Sequence, residues 1–259
     1  MKVVILCGGQ GTRLREQTEV LPKPMVEIGG RPMLWHIMKS YAHHGLTEFI
    51  LCLGYKGHVI KDYFLNYEAR TNDFTVDLGE RATVNVDRRS AEAGWKISLV
   101  DTGERAMTGA RVFRIKDYLG DEPFCLTYGD GLGNIDIASS LDFHRSHGKM
   151  VTVTGVRPPG RFGELELNGD RVVAFAEKPQ VTESFINGGF FVIEREFIDS
   201  YLSDKDDLTL EAEPLQRAAA DGNMMMFPHD GFWQCMDTYR EWKMLDEMWE
   251  NGTAEWRVW

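Results

Sequence analysis

Residues 8–13 read Gly-Gly-Gln-Gly-Thr-Arg, directly behind the apolar run Val3 to Cys7. Ten residues beyond Arg13, Lys23 stands between Pro22 and Pro24. Glycine lets backbone N–H groups approach an anion closely, and successive amides in such a loop form an anion-binding concavity. An arginine fork donates paired hydrogen bonds to phosphate. Proline fixes its own φ and restrains the residue before it, so a lysine held this way loses less freedom on gripping an anion. The chemistry on offer is phosphate binding. It is not that of a P-loop, because no lysine follows these glycines, nor of a dinucleotide fingerprint, because Leu14 stands where its third glycine belongs. The residues alone leave open a plain strand-to-helix turn and a solvated loop lysine.

Two carboxylates add to this. Asp130, in Tyr-Gly-Asp-Gly, follows an apolar strand directly, at the carboxyl end where α/β sheets place ligands. Asp237 follows Gln-Cys-Met. Two hard carboxylate oxygens, completed by substrate phosphates, suit Mg²⁺. A turn aspartate and a helix N-terminal residue are the bland alternatives. Glu177 and Lys178 close an alternating stretch and face opposite sides of it. No nucleophile, histidine and acid are spaced for covalent catalysis. His36, His43, His44 and His58 fall in helix-like stretches, where surface or core roles are commoner.

These residues need a scaffold that alternates strands and helices. Lys2 to Leu6, 48–54, 96–102, 123–131, 150–156 and 188–194 read as strands. Residues 31–45, 58–69 and 136–148 read as helices, two of them stopped by glycine. An Asn-Gly-Asp turn between alternating runs predicts a hairpin over 164–179, and residues 71–95 read as a protruding hairpin or loop. The remainder reads as mostly helical. Its tail carries Trp233, Trp242, Trp249, Trp256 and Trp259, first read as packing against the sheet and second as a subunit interface. The expected class is α/β: one domain over residues 1–259, with a mixed, mainly parallel sheet flanked by helices.

The net charge of −11 argues against nonspecific binding to nucleic acid or anionic membranes. No apolar stretch approaches the roughly 20 residues of a membrane span, so a cytoplasmic location is expected. Cys7, Cys52, Cys125 and Cys235 show no C-x-x-C spacing and read as reduced thiols rather than a zinc or disulfide framework.

The stretch from Cys7 to Leu34 resembles the signature of the sugar-phosphate nucleotidyltransferases. Tyr-Gly-Asp-Gly, Glu-Lys-Pro, Asn-Gly-Gly-Phe-Phe and Phe-Trp-Gln-Cys-Met-Asp-Thr follow in that family's order. The likeness is strongest to its branch using CTP and glucose 1-phosphate. It implies a Rossmann-like fold, with nucleotide binding over about 1–135 and sugar binding over about 136–259. It implies Mg²⁺ at Asp130 and Asp237, and catalytic roles for Arg13, Lys23, Asp130 and Lys178. The nucleotide would meet Leu6, Cys7, Gly8, Gly9, Gly11, Thr12, Arg13, Lys23, Thr108, Gly109, Arg111 and Asp130. The sugar phosphate would meet Tyr128, Gly163, Glu177, Lys178, Asn187 and Gly188. A homo-oligomer and a place in surface-polysaccharide deoxysugar synthesis are further implications. Ala110 and Cys235 depart from the pattern, which expects glycine and proline there. Three alternatives stay open: a UTP- or dTTP-using relative, an inactive nucleotide-sugar-binding regulator, and a nicotinamide-dependent oxidoreductase, against which the glycine spacing counts.

Overall fold

The computed structural model describes residues 1–9, 11, 20–77, 83–86, 91–157, 164–168, 171–176 and 184–259. The chain enters through β1 (Val3–Leu6), the short hairpin β2 (Glu27–Ile28) and β3 (Arg31–Pro32), and helix α1 (Met33–His43). Next come β4 (Glu48–Leu53), α2 (Gly57–Leu65), α3 (Tyr67–Thr71), the hairpin β5 (Phe74–Asp77) and β6 (Thr83–Val86), and β7 (Lys96–Asp101). The middle holds α4 (Thr108–Arg114), β8 (Phe124–Tyr128), β9 (Gly131–Gly133), α5 (Ile137–His147), β10 (Val151–Val156) and the hairpin β11 (Glu164–Asn168) and β12 (Arg171–Ala176). The chain ends with β13 (Ile186–Ile193), α6 (Glu196–Tyr201), α7 (Glu213–Ala220), β14 (Met224–His229), β15 (Trp233–Cys235) and α8 (Tyr239–Glu250).

Seven strands form one sheet in the order β14-β10-β13-β8-β1-β4-β7. β1 pairs in parallel with β4 and β8, β4 with β7, and β10 with β14. Only β13 runs antiparallel to its neighbours β8 and β10. The expected mixed, mainly parallel sheet is therefore present. Strand periodicity divides the core: Val3 and Ile5 join one apolar cluster, while Val4 and Leu6 join the other. The first cluster takes α1, the face of α8 and fully buried Trp256, so the tryptophan tail packs as core. The second takes α4, α6 and α7.

Two expectations are adjusted. The helix read over 58–69 is two, because the Asn66 side chain donates to the Asp62 carbonyl at 2.8 Å and competes with continuation. The stretch 195–259 is not mostly helical: β14 extends the sheet and β15 pairs with β9. Pro228 is tolerated because β14 is an edge strand. Residues 71–95 do contain a hairpin, β5 with β6.

Candidate active site

A cleft of ≈ 440 Å³ opens where β1 and β8 end and β13 begins. β1 delivers Leu6 to its floor, with Cys7, Gly8 and Gly9 following; β8 delivers Tyr128, then Gly129 and Asp130. β13 contributes Asn187, Gly188 and Gly189, and the β15 side contributes Trp233, Cys235 and Asp237. This is the sheet edge at which parallel strands concentrate ligands.

At one end lies a charge cluster. The buried Lys23 ammonium donates to Asp130 Oδ2 at 2.7 Å and to Asp237 Oδ1 at 2.6 Å. Burial is the largest single influence and works against its charge, but Asp130, Cys235 and Asp237 together outweigh it and hold Lys23 above the ordinary lysine range. The Pro-Lys-Pro stretch winds into a single 3₁₀ turn, closed by Met25 N donating to Pro22 O at 2.8 Å. Asp237 reaches the cluster because Met236 N donates to Asp130 O at 2.8 Å, continuing the β9–β15 pairing. Thr238 and Glu241 then form a reciprocal capping box that starts α8. Helix α8 in turn grips the hairpin after Lys23: Trp242 Nε1 donates to Glu27 O and Asp246 accepts from Gly29 N, each at 2.8 Å. Trp249 occupies the space that a Gly29 side chain would need, its Cδ1 lying 1.8 Å from an ideal Cβ.

Asp130 and Asp237 already converge on one positive charge, so their donor set fits a hard divalent cation. The Cys235 thiol lies in the same group, one ligand atom from each residue falling within 4.8 Å of the others. Burial and then Asp130 push that thiol up from its ordinary pKa.

The glycine loop is shaped by an arginine. Buried Arg111 donates to Leu53 O and Thr102 Oγ1, both at 2.9 Å, and to Gly8 O at 3.1 Å. A Cβ on Gly8 would stand 2.1 Å from Arg111 Nη1. The glycine is thus required by the guanidinium behind the loop, while Gly9 faces open space. Arg111 was expected among the residues that meet the nucleotide; these hydrogens go to protein acceptors, and the residue fixes the wall.

Opposite, Met107 and Thr108 line the cleft, whereas Gly109 and Ala110 turn away and both donate their N–H to Leu208 O. Ala110 is fully buried outside the cleft lining, so its methyl does not crowd the ligand space. Gly11 also lies outside that lining. The Asn187 side chain donates to the Tyr128 hydroxyl at 3.3 Å and accepts from Gly189 N at 2.8 Å. Trp233 Nε1 holds Gly188 O at 2.8 Å. The Tyr128 hydroxyl donates to Glu211, which also accepts from Thr108 Oγ1 at 2.6 Å. Burial, then the Glu211 charge, raise the Tyr128 phenol.

The structure therefore gathers Leu6, Cys7, Gly8, Gly9, Lys23, Thr108, Arg111, Tyr128, Asp130, Asn187, Gly188 and Asp237 around one cleft. Thr12, Arg13, Gly163, Glu177 and Lys178 lie outside the described residues. Glu211 was missed: it sits in a polar stretch with no motif, and its partners are 83 and 103 residues away.

A glycine-lined strand end beside a buried lysine and paired carboxylates defines a phosphate-handling α/β transferase. Residues 2–243 match the family model described as nucleotidyl transferase, and the chain belongs to that family. Over 260 aligned residues it is 50% identical to the glucose-1-phosphate cytidylyltransferase of Salmonella typhimurium strain LT2, covering 100% of each chain. Among solved structures, HddC from Yersinia pseudotuberculosis matches with a TM-score of 0.67 at 23% identity, over 96% of this chain and 99% of that one. The inositol-1-phosphate CTP transferase from T. maritima matches with a TM-score of 0.65 at 18% identity, over 96% of both. These two share the fold. Among the described residues, no helix is long and apolar enough to cross a membrane.

Proposed function

We propose that the protein joins CTP to α-D-glucose 1-phosphate, forming CDP-glucose and releasing pyrophosphate. The observation that carries this reading is the 50% identity, over its full length, to the Salmonella glucose-1-phosphate cytidylyltransferase. The cleft supports it. A phosphate oxygen of the sugar substrate attacks the α-phosphorus of the nucleotide, and the bond to the leaving pyrophosphate breaks. That oxygen is already anionic, so no general base is needed; alignment and charge neutralisation supply the catalysis. This agrees with a site whose reactive groups are Lys23, Asp130 and Asp237.

In this reading Arg13 and Lys23 hold the triphosphate, Lys178 the sugar phosphate, and Glu177 the sugar hydroxyls. Tyr128, Gly163, Asn187 and Gly188 shape the sugar end, while Thr12, Gly11 and Gly109 belong to the nucleotide segments. Asp130 and Asp237 would hold Mg²⁺, which when bound neutralises phosphate charge as a Lewis acid. Lys23 keeps the two carboxylates together, and Arg111 keeps Gly8 close to the ligand. A cytoplasmic homo-oligomer serving surface-polysaccharide synthesis fits the same reading.

The test is pyrophosphate release from glucose 1-phosphate and Mg²⁺ with each of CTP, UTP, GTP, ATP and dTTP. We expect the highest kcat/KM with CTP and no release after chelation of the metal. Release favouring dTTP would move the chain to another branch of its family. Binding without release under any condition would make it a nucleotide-sugar-binding module.

A further inference from the structure

Glu211 stands behind the cleft wall and accepts from two hydroxyls that line it. Thr108 Oγ1 donates to Glu211 Oε2 at 2.6 Å, and the Tyr128 hydroxyl donates to Glu211 Oε1. A hydroxyl has one proton to give and two lone pairs to receive with. One Thr108 lone pair is taken by Leu210 N at 2.9 Å, and one on Tyr128 by Asn187 Nδ2 at 3.3 Å. Each hydroxyl therefore retains acceptor capacity and no proton. Arg111, which also lines the cleft, does not reverse that polarity, because it aims its guanidinium at Leu53 O, Thr102 Oγ1, Gly8 O and Glu104 O. Thr108 is held in place by its own segment: Met107 N donates to Asp206 O at 2.7 Å and Gly109 N to Leu208 O at 2.9 Å. The stretch that carries Glu211 thus also carries the anchors of the wall it polarises.

We propose that Glu211 determines base specificity as a positioning residue: by taking the Thr108 proton, it makes Thr108 an obligate acceptor for the exocyclic amine of cytosine. The inference rests on the CTP reading above. Uracil presents a carbonyl at the position of that amine, and two acceptors cannot satisfy each other. A buried polar group left unmatched in this way carries a desolvation penalty. Releasing the Thr108 proton removes the discrimination, because the hydroxyl can then turn to donate to the carbonyl. The same carboxylate ties Thr108, opposite the glycine loop, to Tyr128 and through it to Asn187.

The experiment compares kcat/KM for CTP and UTP, at fixed glucose 1-phosphate and Mg²⁺, in four proteins: the parent, Glu211→Leu, Glu211→Gln and Thr108→Val. Leucine keeps the volume and removes both acceptors, glutamine keeps one acceptor, and valine keeps the shape of Thr108 without its oxygen. The CTP-to-UTP ratio should fall by at least about tenfold in Glu211→Leu and Thr108→Val, and Glu211→Gln should be intermediate. Circular dichroism and melting curves show that each variant is folded, and Thr108→Ser should restore the ratio. A purely structural role for Glu211 lowers both rates in parallel and leaves the ratio within about twofold of the parent, which overturns the proposal. A parent with no CTP preference overturns the substrate reading itself, a result distinct from an unchanged ratio in the variants.

Discussion

Replacing Lys23 by methionine removes the charge and keeps the approximate length of the side chain. The ammonium is the shared partner of Asp130 and Asp237 at 2.7 and 2.6 Å, with the lysine side chain only 10% exposed. Stripping one partner from a fully buried pair costs about 3–5 kcal/mol, whereas an exposed pair contributes about 0–1 kcal/mol. The carboxylates lie between these limits, their side chains being 32% and 19% exposed. Solvent screening then reduces the loss to about 2 kcal/mol. For a chain of this size that is a fall in Tm of about 4–8 °C in the presence of a chelator. The loss should be regained when Mg²⁺ or Mn²⁺ is added, because a divalent ion can take the place between the two aspartates. The same addition should raise the parent's Tm less, since its own ammonium must first be displaced. Differential scanning calorimetry of both proteins, with chelator and with each metal, measures all four values. A variant that melts within about 1 °C of the parent under chelation, or an equal metal-induced rise in both, refutes the cluster as a cation site.

Two further outcomes follow from geometry already described. Gly8→Ala places a methyl 2.1 Å from Arg111 Nη1, a guanidinium anchored by four acceptors, so the loop must shift; the KM for CTP should rise at least about tenfold, and titration calorimetry showing an unchanged affinity would count against it. Buried His36 has its pKa lowered to about 4 from 6.5 by burial, despite its hydrogen bond to Ile28 O, so the unfolded chain binds its proton first as pH falls. Stability from this residue is complete above about pH 6.5 and declines towards pH 4, by about 3 kcal/mol in all. His144 and His147 are shifted down as well and act in the same sense. Urea midpoints at pH 7.5 and 4.5 should differ less in His36→Asn than in the parent, and an identical pH dependence in the two would refute the assignment.

What the sequence disclosed follows from how far each signal reaches along the chain. Glycines after an apolar strand and a lysine between prolines are local patterns, and they led to the cleft. Asp130 was legible as a ligand because it ends a strand-like run, and Asp237 through the family resemblance, although their meeting through Lys23 spans 107 and 214 positions. Arg111 was legible as a cation but not as a scaffold. Its acceptors at Gly8 and Leu53 lie 103 and 58 positions away, and only tertiary structure brings them near. Glu211 had no periodic or motif setting at all. Strand β14 was hidden because Met224, Met225 and Met226 show neither alternation nor β-branching; its conformation comes from pairing with β10. The tryptophans were read as packing because Trp242, Leu245 and Trp249 share a helical stripe, and that stripe does face the core.

The cation cluster draws on the beginning, middle and end of the chain, and this has a consequence for biosynthesis. A ribosome that has made β1, Lys23 and the whole of β8 has made two of the strands that form the cleft, yet Asp237 is still 109 residues further on. Domains fold from the N-terminal side as they emerge, at about 5–20 residues per second, so Lys23 and Asp130 meet first and wait for the third member. The last segments, β15 and α8, carry Asp237 into place and clamp Gly29 and Glu27 from outside. A nascent chain therefore lacks one member of the Lys23–Asp130–Asp237 cluster until the segment that follows β15 has been made and has docked.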